Sequence, residues 1–257
     1  DHHFVDGPDA GDDFSISGIL QDKDSTLWLC SWGDGFIHYQ PRDGSATCHL
    51  FDTIPPANGA KNIIQGMARR SEEEFYLGCQ DGLRIFNTRT GFSKPIKHDP
   101  EDTHSLPPGM VTNLMIGPTG DLWICTGSGL ACLSGSLNRF THLSLGKSFQ
   151  IAEQGPRLNG VVEDGASFLV GTDIQGIVRI DKWTKNIQRF QARDEKGRPC
   201  AVPHIYEMFR CEPGPIELRT RDGAFFLDPA TGVMRRVLRK TIDRLGKLEG
   251  LSFLCEE

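Results

Sequence analysis

A glycine recurs every 47 residues in this chain of 257 residues. The recurring glycines are Gly35, Gly82, Gly129, Gly176 and Gly223. In each copy a short apolar run comes before the glycine-bearing turn, and a second apolar run follows it. Two short apolar runs joined by a tight glycine turn are typical of a β-hairpin. The chain is therefore predicted to repeat one hairpin-bearing unit five times.

Each unit also holds apolar stretches on both sides of its hairpin. An upstream stretch reads ISGILQD, IQGMARR, VTNLMIG, LNGVVED and IYEMFRC in the five units, and a weaker strand is predicted downstream in four of them. Four short strands in a unit of this length are typical of a β-propeller blade. No unit holds a long stretch with helical periodicity, which excludes helical repeats. The predicted fold class is all-β, a β-propeller built of four-stranded antiparallel blades.

The repeat also sets the domain organisation. We expect one partial β-propeller over residues 1–257, with five full blades, and the blades are predicted at approximately 14–53, 62–96, 110–143, 157–191 and 204–238. The tail LEGLSFLCEE, at 248–257, matches the upstream strand and carries Gly250 in the matching place. It is predicted to be the first strand of a further blade or a strand that closes the ring. We therefore expect a fragment of a larger propeller array.

Three columns of the repeat predict how blades pack. The innermost strand carries Gly18, Gly66 and Gly160, with Asn113 and Glu207 in the same column. Inner strands converge on the propeller axis, so small residues are expected there for packing.

The second strand carries the other two informative columns. Trp28, Tyr76 and Trp123 share one of them and are predicted to wedge between adjacent blades. Cys30 and Cys125 share another, where the remaining units have Gly78, Gly171 and Arg219. These two cysteines are interpreted as buried packing residues because a free thiol is a small hydrophobe.

Composition excludes several classes of function. The formal net charge is -6, so the chain lacks the basic surface that nucleic-acid binding requires. Eight cysteines in 257 residues are too sparse for a disulfide-stapled small domain, and no CxxC pair occurs. No metal site, cofactor or catalytic residue is predicted.

The phrases QDKDSTLWLCSWGDGFIHY and GPTGDLWICTGSGLACL resemble the two-component regulator propeller repeat. This resemblance implies the periplasmic sensor region of a Bacteroidetes hybrid two-component histidine kinase. It implies that the ligand is an oligosaccharide or another small molecule and that its binding is signalled across the membrane. It also implies that the intact receptor is a homodimer. Contact with the membrane and kinase activity would both reside in other parts of the protein, so the fragment itself is expected to have no enzymatic activity.

The antiparallel blade places the hairpin between its second and third strands on the same face as the loop that leads into the blade. A sugar site needs an aromatic platform with charged or amide groups around it. On this face, the residues predicted to bind the ligand are Trp32, Arg157, Asp173, His204, Tyr206 and Arg221. Trp183 follows a third strand and is expected on the opposite face.

Two other functions remain open from the residues alone. Propellers also host glycosidases and lyases that act on carbohydrates or small molecules, and fold alone does not choose between these functions. Glycosidase chemistry needs two carboxylates at a matched distance, and most acidic residues here fall in turns. The second alternative is a scaffold that binds another protein through the same face.

Overall fold

The structure is a computed structural model, and it describes residues 15–51, 62–135, 139–143, 157–210 and 214–237. Within these ranges there are twenty strands and no helix. The strands form five four-stranded antiparallel sheets, in each of which neighbours in sequence are neighbours in the sheet. This up-and-down order is that of a propeller blade, and the predicted all-β propeller fold class is confirmed. The predicted strand at 248–257 lies outside the described residues.

The contacts between Cα atoms divide the chain into two compact units, one up to Lys97 and one from His98 onward. Blades one and two belong to the first unit, and their strands are β1 Ile16–Gln21, β2 Leu27–Ser31, β3 Phe36–Gln40, β4 Ser45–His49, β5 Ile64–Arg69, β6 Glu74–Cys79, β7 Gly82–Asn87 and β8 Ser93–Ile96. Blades three to five belong to the second unit, and their strands are β9 Val111–Ile116, β10 Leu122–Thr126, β11 Gly129–Leu133, β12 Phe140–Leu143, β13 Leu158–Asp164, β14 Ser167–Thr172, β15 Ile177–Asp181, β16 Ile187–Arg189, β17 Ile205–Arg210, β18 Ile216–Thr220, β19 Gly223–Leu227 and β20 Met234–Arg236.

The recurring glycine has the same conformational role in all five blades. Each of the five adopts a positive φ, from 71° at Gly176 to 145° at Gly129. Residues with a side chain rarely adopt this part of backbone space, whereas glycine adopts it freely. The 47-residue spacing therefore marks the turn between the second and third strands of every blade.

In the first unit, the core lies between blades one and two. Trp28 is buried and stacks on Phe36 of its own blade, with ring centroids 4.8 Å apart. It also touches Phe75 of blade two at 5.4 Å, so it wedges between the two blades as predicted. Cys30 and Cys79 are buried cysteines in the same cluster.

In the second unit, two clusters join blades three to four and blades four to five. Trp123 packs on Phe168 of the next blade, with ring centroids 4.1 Å apart, which confirms the same prediction for this column. Cys125 is a buried free thiol, and burial raises its pKa to about 12. Both cysteines of this column are therefore packing residues, as the repeat predicts.

A β-bulge interrupts the innermost strand of every blade at its second residue. The extra residue in each is Ser17, Gln65, Thr112, Asn159 or Tyr206. Three of these side chains donate a hydrogen bond to the next blade: Ser17 to the carbonyl of Ile64, Thr112 to that of Leu158, and Asn159 to that of Ile205. In blades one, three and four the bulge thus turns one polar side chain towards the next blade.

The described residues include no helix with the length and apolar character that a bilayer crossing requires.

Candidate functional site

One backbone hydrogen bond ties the hairpin of a blade to the loop that leads into the blade. The N–H of Trp32 donates to the carbonyl of Ser15 at 2.9 Å, and the N–H of Asp173 donates to the carbonyl of Arg157 at 3.1 Å. In blade five, the N–H of Arg221 donates to the carbonyl of His204 at 2.9 Å. The hairpin and the leading loop therefore share one end of each blade. Five of the six predicted ligand-binding residues lie at this end of blades four and five.

In blade four, Arg157 and Asp173 are joined by two hydrogen bonds, each residue donating one of them. Besides the bond from Asp173 to the Arg157 carbonyl, the N–H of Arg157 donates to Oδ1 of Asp173 at 3.1 Å. The carboxylate thus helps to hold the loop and keeps further lone pairs for a ligand. The Nε of Arg157 is shielded from solvent and has no hydrogen-bond partner among the described residues.

In blade five, two aromatic rings lie side by side. The rings of His204 and Tyr206 have centroids 4.8 Å apart and planes inclined by 49°. Tyr206 occupies the bulge of its blade, and 58% of it is exposed. The exposed Arg221 follows in the hairpin that is bonded to His204. The three residues can offer a ligand an aromatic surface beside a guanidinium group.

Trp32 lies in the first unit, whereas the other five predicted residues lie in the second. Its backbone forms an antiparallel bridge with Ile63, just before the inner strand of blade two. The indole is 47% exposed at this position. Trp183 lies in the turn between β15 and β16, at the other end of its blade, and is 82% exposed.

The structure adds an apolar residue that the sequence analysis did not select. Ile174 follows Asp173 in the hairpin of blade four and is 63% exposed. The available sequence clue was its place in a hairpin that is one residue longer than those of blades two, three and five. An exposed Ile next to a charged pair adds a hydrophobic contact for a ligand.

A second overlooked feature is a charged pair inside blade five. Glu207 and Arg219 face each other across β17 and β18, with Oε2 and Nη1 3.5 Å apart. Burial raises the pKa of Glu207 to about 7, and the charge of Arg219 opposes that rise. In the other blades these columns carry glycine, cysteine or asparagine, so two facing long charged residues are an exception that the sequence already shows.

No group of three or more His, Cys, Asp or Glu side chains within the described ranges is arranged to hold a metal ion. The residues at this end of blades four and five offer hydrogen-bonding, charged and aromatic groups, which suit recognition of a polar molecule.

Comparisons with known proteins give a fold likeness only. No protein-family model matches the chain, and no curated protein matches it. Among solved structures, the chain is similar to the extracellular domain of a protein assigned as the hybrid two-component system BT3049 of B. thetaiotaomicron. The TM-score is 0.67, the identity is 17%, and the match covers 86% of this chain and 29% of that one.

Two further structures are similar to the chain. The extracellular domain of a protein assigned as the hybrid two-component system BT4673 of the same organism has a TM-score of 0.42 at 16% identity, covering 91% of this chain and 30% of that one. PorZ, an essential bacterial surface component of the type-IX secretion system of Porphyromonas gingivalis, has a TM-score of 0.52 at 15% identity, covering 89% and 34%. This chain thus spans about 30% of the two hybrid-system domains that it matches.

The chain is thus similar in fold to an extracellular domain of a hybrid two-component system, the class of protein that its repeat motif resembles, and at 17% identity this likeness establishes the blade fold alone.

Proposed function

We propose that this chain is part of the extracytoplasmic, periplasmic sensor region of a hybrid two-component histidine kinase and response regulator. The observation that carries the proposal is the fold likeness to such an extracellular domain over 86% of the chain. The repeat motif in blades one and three points to the same class of protein. In this proposal the kinase and the membrane anchor belong to other parts of the protein, and the intact receptor is a homodimer.

The proposed ligand is an oligosaccharide, bound at the end of the blades where hairpins meet leading loops. Sugars stack their apolar faces on aromatic rings and direct their hydroxyl groups to charged and amide side chains. His204 and Tyr206 provide adjacent rings, and Arg221 follows in the bonded hairpin. Arg157 and Asp173 provide two charged side chains in blade four, and their loops are joined by the bond from the backbone N–H of Arg157 to Oδ1 of Asp173. Trp32 is the proposed ligand residue in the first unit.

The proposal is tested by titrating the purified chain with a panel of oligosaccharides in a calorimeter. We expect saturable binding of at least one of them, and Tyr206→Ala should weaken it about tenfold because an aromatic contact is lost. Trp183→Ala is the matched control, since it removes a more exposed aromatic ring at the other end of a blade. That variant should bind within about twofold of the wild type.

One result would contradict the proposed ligand-binding face, and another would contradict the sensor proposal itself. Equal loss of affinity in the Tyr206 and Trp183 variants would mean that the oligosaccharide does not bind specifically at the end of the blades where hairpins meet leading loops. Turnover of a glycan by the pure chain, abolished by substitution of one carboxylate, would instead establish a glycosidase or lyase.

A protein-binding scaffold is the second candidate. Ile174 and Tyr206 expose apolar surface near the same end of adjacent blades. The chain also shares its fold, at a TM-score of 0.52, with a surface component of a secretion system. This function predicts saturable binding to a protein, weakened by Ile174→Ser, and no binding of the oligosaccharide panel.

A further inference from the structure

Three arginines lie at the end of blades four and five where hairpins meet leading loops, although the chain as a whole has a formal net charge of -6. Arg157 and Arg221 belong to the proposed ligand site, and Arg236, the last residue of β20, reaches the hairpin of blade five. Two aspartates, Asp173 and Asp222, lie in the same two hairpins. Three positive and two negative side chains leave this group with a net positive charge.

Two contacts place the guanidinium of Arg236, a residue that the sequence analysis did not select. Its Nη2 donates to the carbonyl of Asp222 at 2.7 Å, in the hairpin between β18 and β19. A Cβ atom at Gly223 of the same hairpin would lie 3.4 Å from Nη2 and 3.6 Å from Nε. The positive charge of Arg236 therefore lies beside the hairpin that is bonded to His204.

The charges of these three arginines are not neutralised within the ranges that the structure describes. None of Arg157, Arg221 and Arg236 forms an ion pair with a described carboxylate, and the hydrogen bond of Arg236 goes to an uncharged carbonyl. By contrast, three other arginines of the second unit each have a carboxylate partner, namely Arg179, Arg198 and Arg219. The arginines at the ligand site thus keep their charge for a partner that arrives from solution.

The two charged residues of blade four are arranged differently from an ion pair. Oδ1 of Asp173 accepts the backbone N–H of Arg157, so this bond leaves the guanidinium of Arg157 unused. The Nε of Arg157 is shielded from solvent and has no hydrogen-bond partner among the described residues. A shielded donor of this kind is normally satisfied by a partner.

The aromatic rings and Arg236 lie at opposite edges of blade five. His204 and Tyr206 belong to the start of its innermost strand, and Arg236 belongs to its outermost strand. Neighbouring strands are about 4.8 Å apart, so the end of a four-stranded blade is roughly 14 Å wide. A ligand that contacts both edges therefore needs a chain of several sugar units.

We propose, on the basis of the ligand-binding function proposed above, that the oligosaccharide is acidic and that Arg221 and Arg236 bind its carboxylate or sulfate groups. The planar fork of a guanidinium matches two oxygens of either group, and a charge-assisted hydrogen bond is stronger than a neutral one. His204 and Tyr206 contact the apolar face of a sugar ring, and the arginines select the acid group that the ring carries.

The experiment titrates the purified chain with two acidic oligosaccharides and with a neutral counterpart of each, in a calorimeter at constant ionic strength. Oligogalacturonate is compared with its methyl ester, which keeps the sugar and removes the carboxylate charge. A carrageenan oligosaccharide is compared with its desulfated form. We expect at least one acidic oligosaccharide to bind saturably and about tenfold more tightly than its counterpart. The one that does so identifies the acid group.

A pair of variants in one strand tests the role of Arg236. Arg236→Gln removes the charge at the hairpin and should weaken binding of the acidic oligosaccharide about tenfold. Arg235→Gln is the matched control, because Arg235 is exposed and its side chain leaves the opposite face of the sheet. It should change the affinity by less than about twofold. Circular dichroism checks folding, and if Arg236→Gln unfolds, the exposed Arg221 is replaced by Gln instead.

The possible outcomes separate the acidic ligand from the sensor function. Equal affinity for an acidic oligosaccharide and its neutral counterpart overturns the acidic ligand and leaves a sugar sensor, and so do equal losses in the Arg236 and Arg235 variants. If no oligosaccharide binds, acidic or neutral, the proposed ligand-binding function fails as well. Added sodium chloride should weaken binding of the acidic oligosaccharide more than that of the neutral one, because salt screens exposed charges.

Discussion

Blades four and five have the same strand order but carry contrasting residue types at one pair of facing positions. In blade four, Gly160 of β13 faces Gly171 of β14, whereas in blade five Glu207 of β17 faces Arg219 of β18. A Cβ atom at Gly160 would lie 2.5 Å from the carbonyl oxygen of Met208 in blade five. The glycine pair thus permits the close approach of blade five. The charged pair gives blade five a polar surface at the same register.

The difference between Gly160 and Glu207 explains why glycine recurs at this position of the inner strand. Where the backbone of the next blade lies directly on the inner strand, only glycine fits. Where Glu207 and Arg219 stand instead, the facing positions are filled by longer side chains that hold each other at 3.5 Å. The same position of the inner strand therefore packs closely against the next blade in blade four and carries a partly buried ion pair in blade five.

The largest predicted effect comes from filling the glycine position of blade four. Gly160→Ala should destabilise the protein by about 3 kcal/mol, because its Cβ would overlap the backbone of Met208, which cannot move as a side chain does. Gly127→Ala is the matched control, since a Cβ there meets nothing within 4 Å. Chemical denaturation measures both, and similar stabilities for the two variants would show that blade five does not lie so close.

The second prediction concerns the charged pair of blade five and its dependence on pH. The pKa of Glu207 rises from 4.5 to about 7 on folding, mainly through burial. A raised carboxyl pKa means that its contribution to stability is complete below about pH 4.5 and is lost as the pH rises through 7. Glu207→Gln should remove this loss, which is of the order of 1–3 kcal/mol.

The measurement for Glu207 is the free energy of unfolding between pH 4 and 8 for the wild type and the variant. Only the difference between the two curves is diagnostic, because carboxyls such as Asp181 and Asp194 have lowered pKa values and produce the opposite slope. Parallel curves would mean that Glu207 titrates normally in the folded protein.

A smaller effect is expected at the partner glycine of blade four. A Cβ at Gly171 would lie 3.0 Å from Cγ2 of Ile205 and 3.3 Å from Cβ of Met208, which are side-chain atoms. Because side chains adjust more readily than backbone, Gly171→Ala should destabilise by about 1 kcal/mol. Thermal unfolding measures this, and a larger loss than for Gly160→Ala would reverse the proposed order of closeness.

The smallest effect on stability is predicted at the bulge residues of blades four and five, Asn159 and Tyr206. Asn159→Ala removes the hydrogen bond from Nδ2 to the Ile205 carbonyl, 2.7 Å long, and should destabilise by about 1 kcal/mol or less. Tyr206 stands in the corresponding bulge of blade five and is exposed, so Tyr206→Phe should leave stability unchanged within about 0.5 kcal/mol. Equal losses in the two variants would show that the bulge residue of blade five also supports folding.

Much of the fold could be predicted because the repeat expresses it five times. The glycine of each hairpin turn, the buried Trp28, the partly buried Trp123 and the buried Cys30 all occupy columns whose residue types follow from local sterics and burial. Repetition separates such requirements from chance, since glycine returns at the turn in all five copies and a large aromatic residue at one second-strand position in several of them.

The candidate site could be predicted only in part. The topology of a blade places Arg157 beside Asp173 and His204 beside Arg221, and their backbone bonds agree with that placement. The ring contact between His204 and Tyr206 depends on the bulge, whose position is set by the strand pairing. Whether these residues bind a ligand stays a prediction.

The sequence by itself determined the blade, its strand number and the positions where glycine or an aromatic residue is required, because these follow from the short-range chemistry of a repeated unit. Only the tertiary structure decided how the exceptional residues are used. Glu207 and Arg219 become an ion pair, and Arg179 comes to bridge two blades, because partners distant in the chain meet only after the sheets have packed.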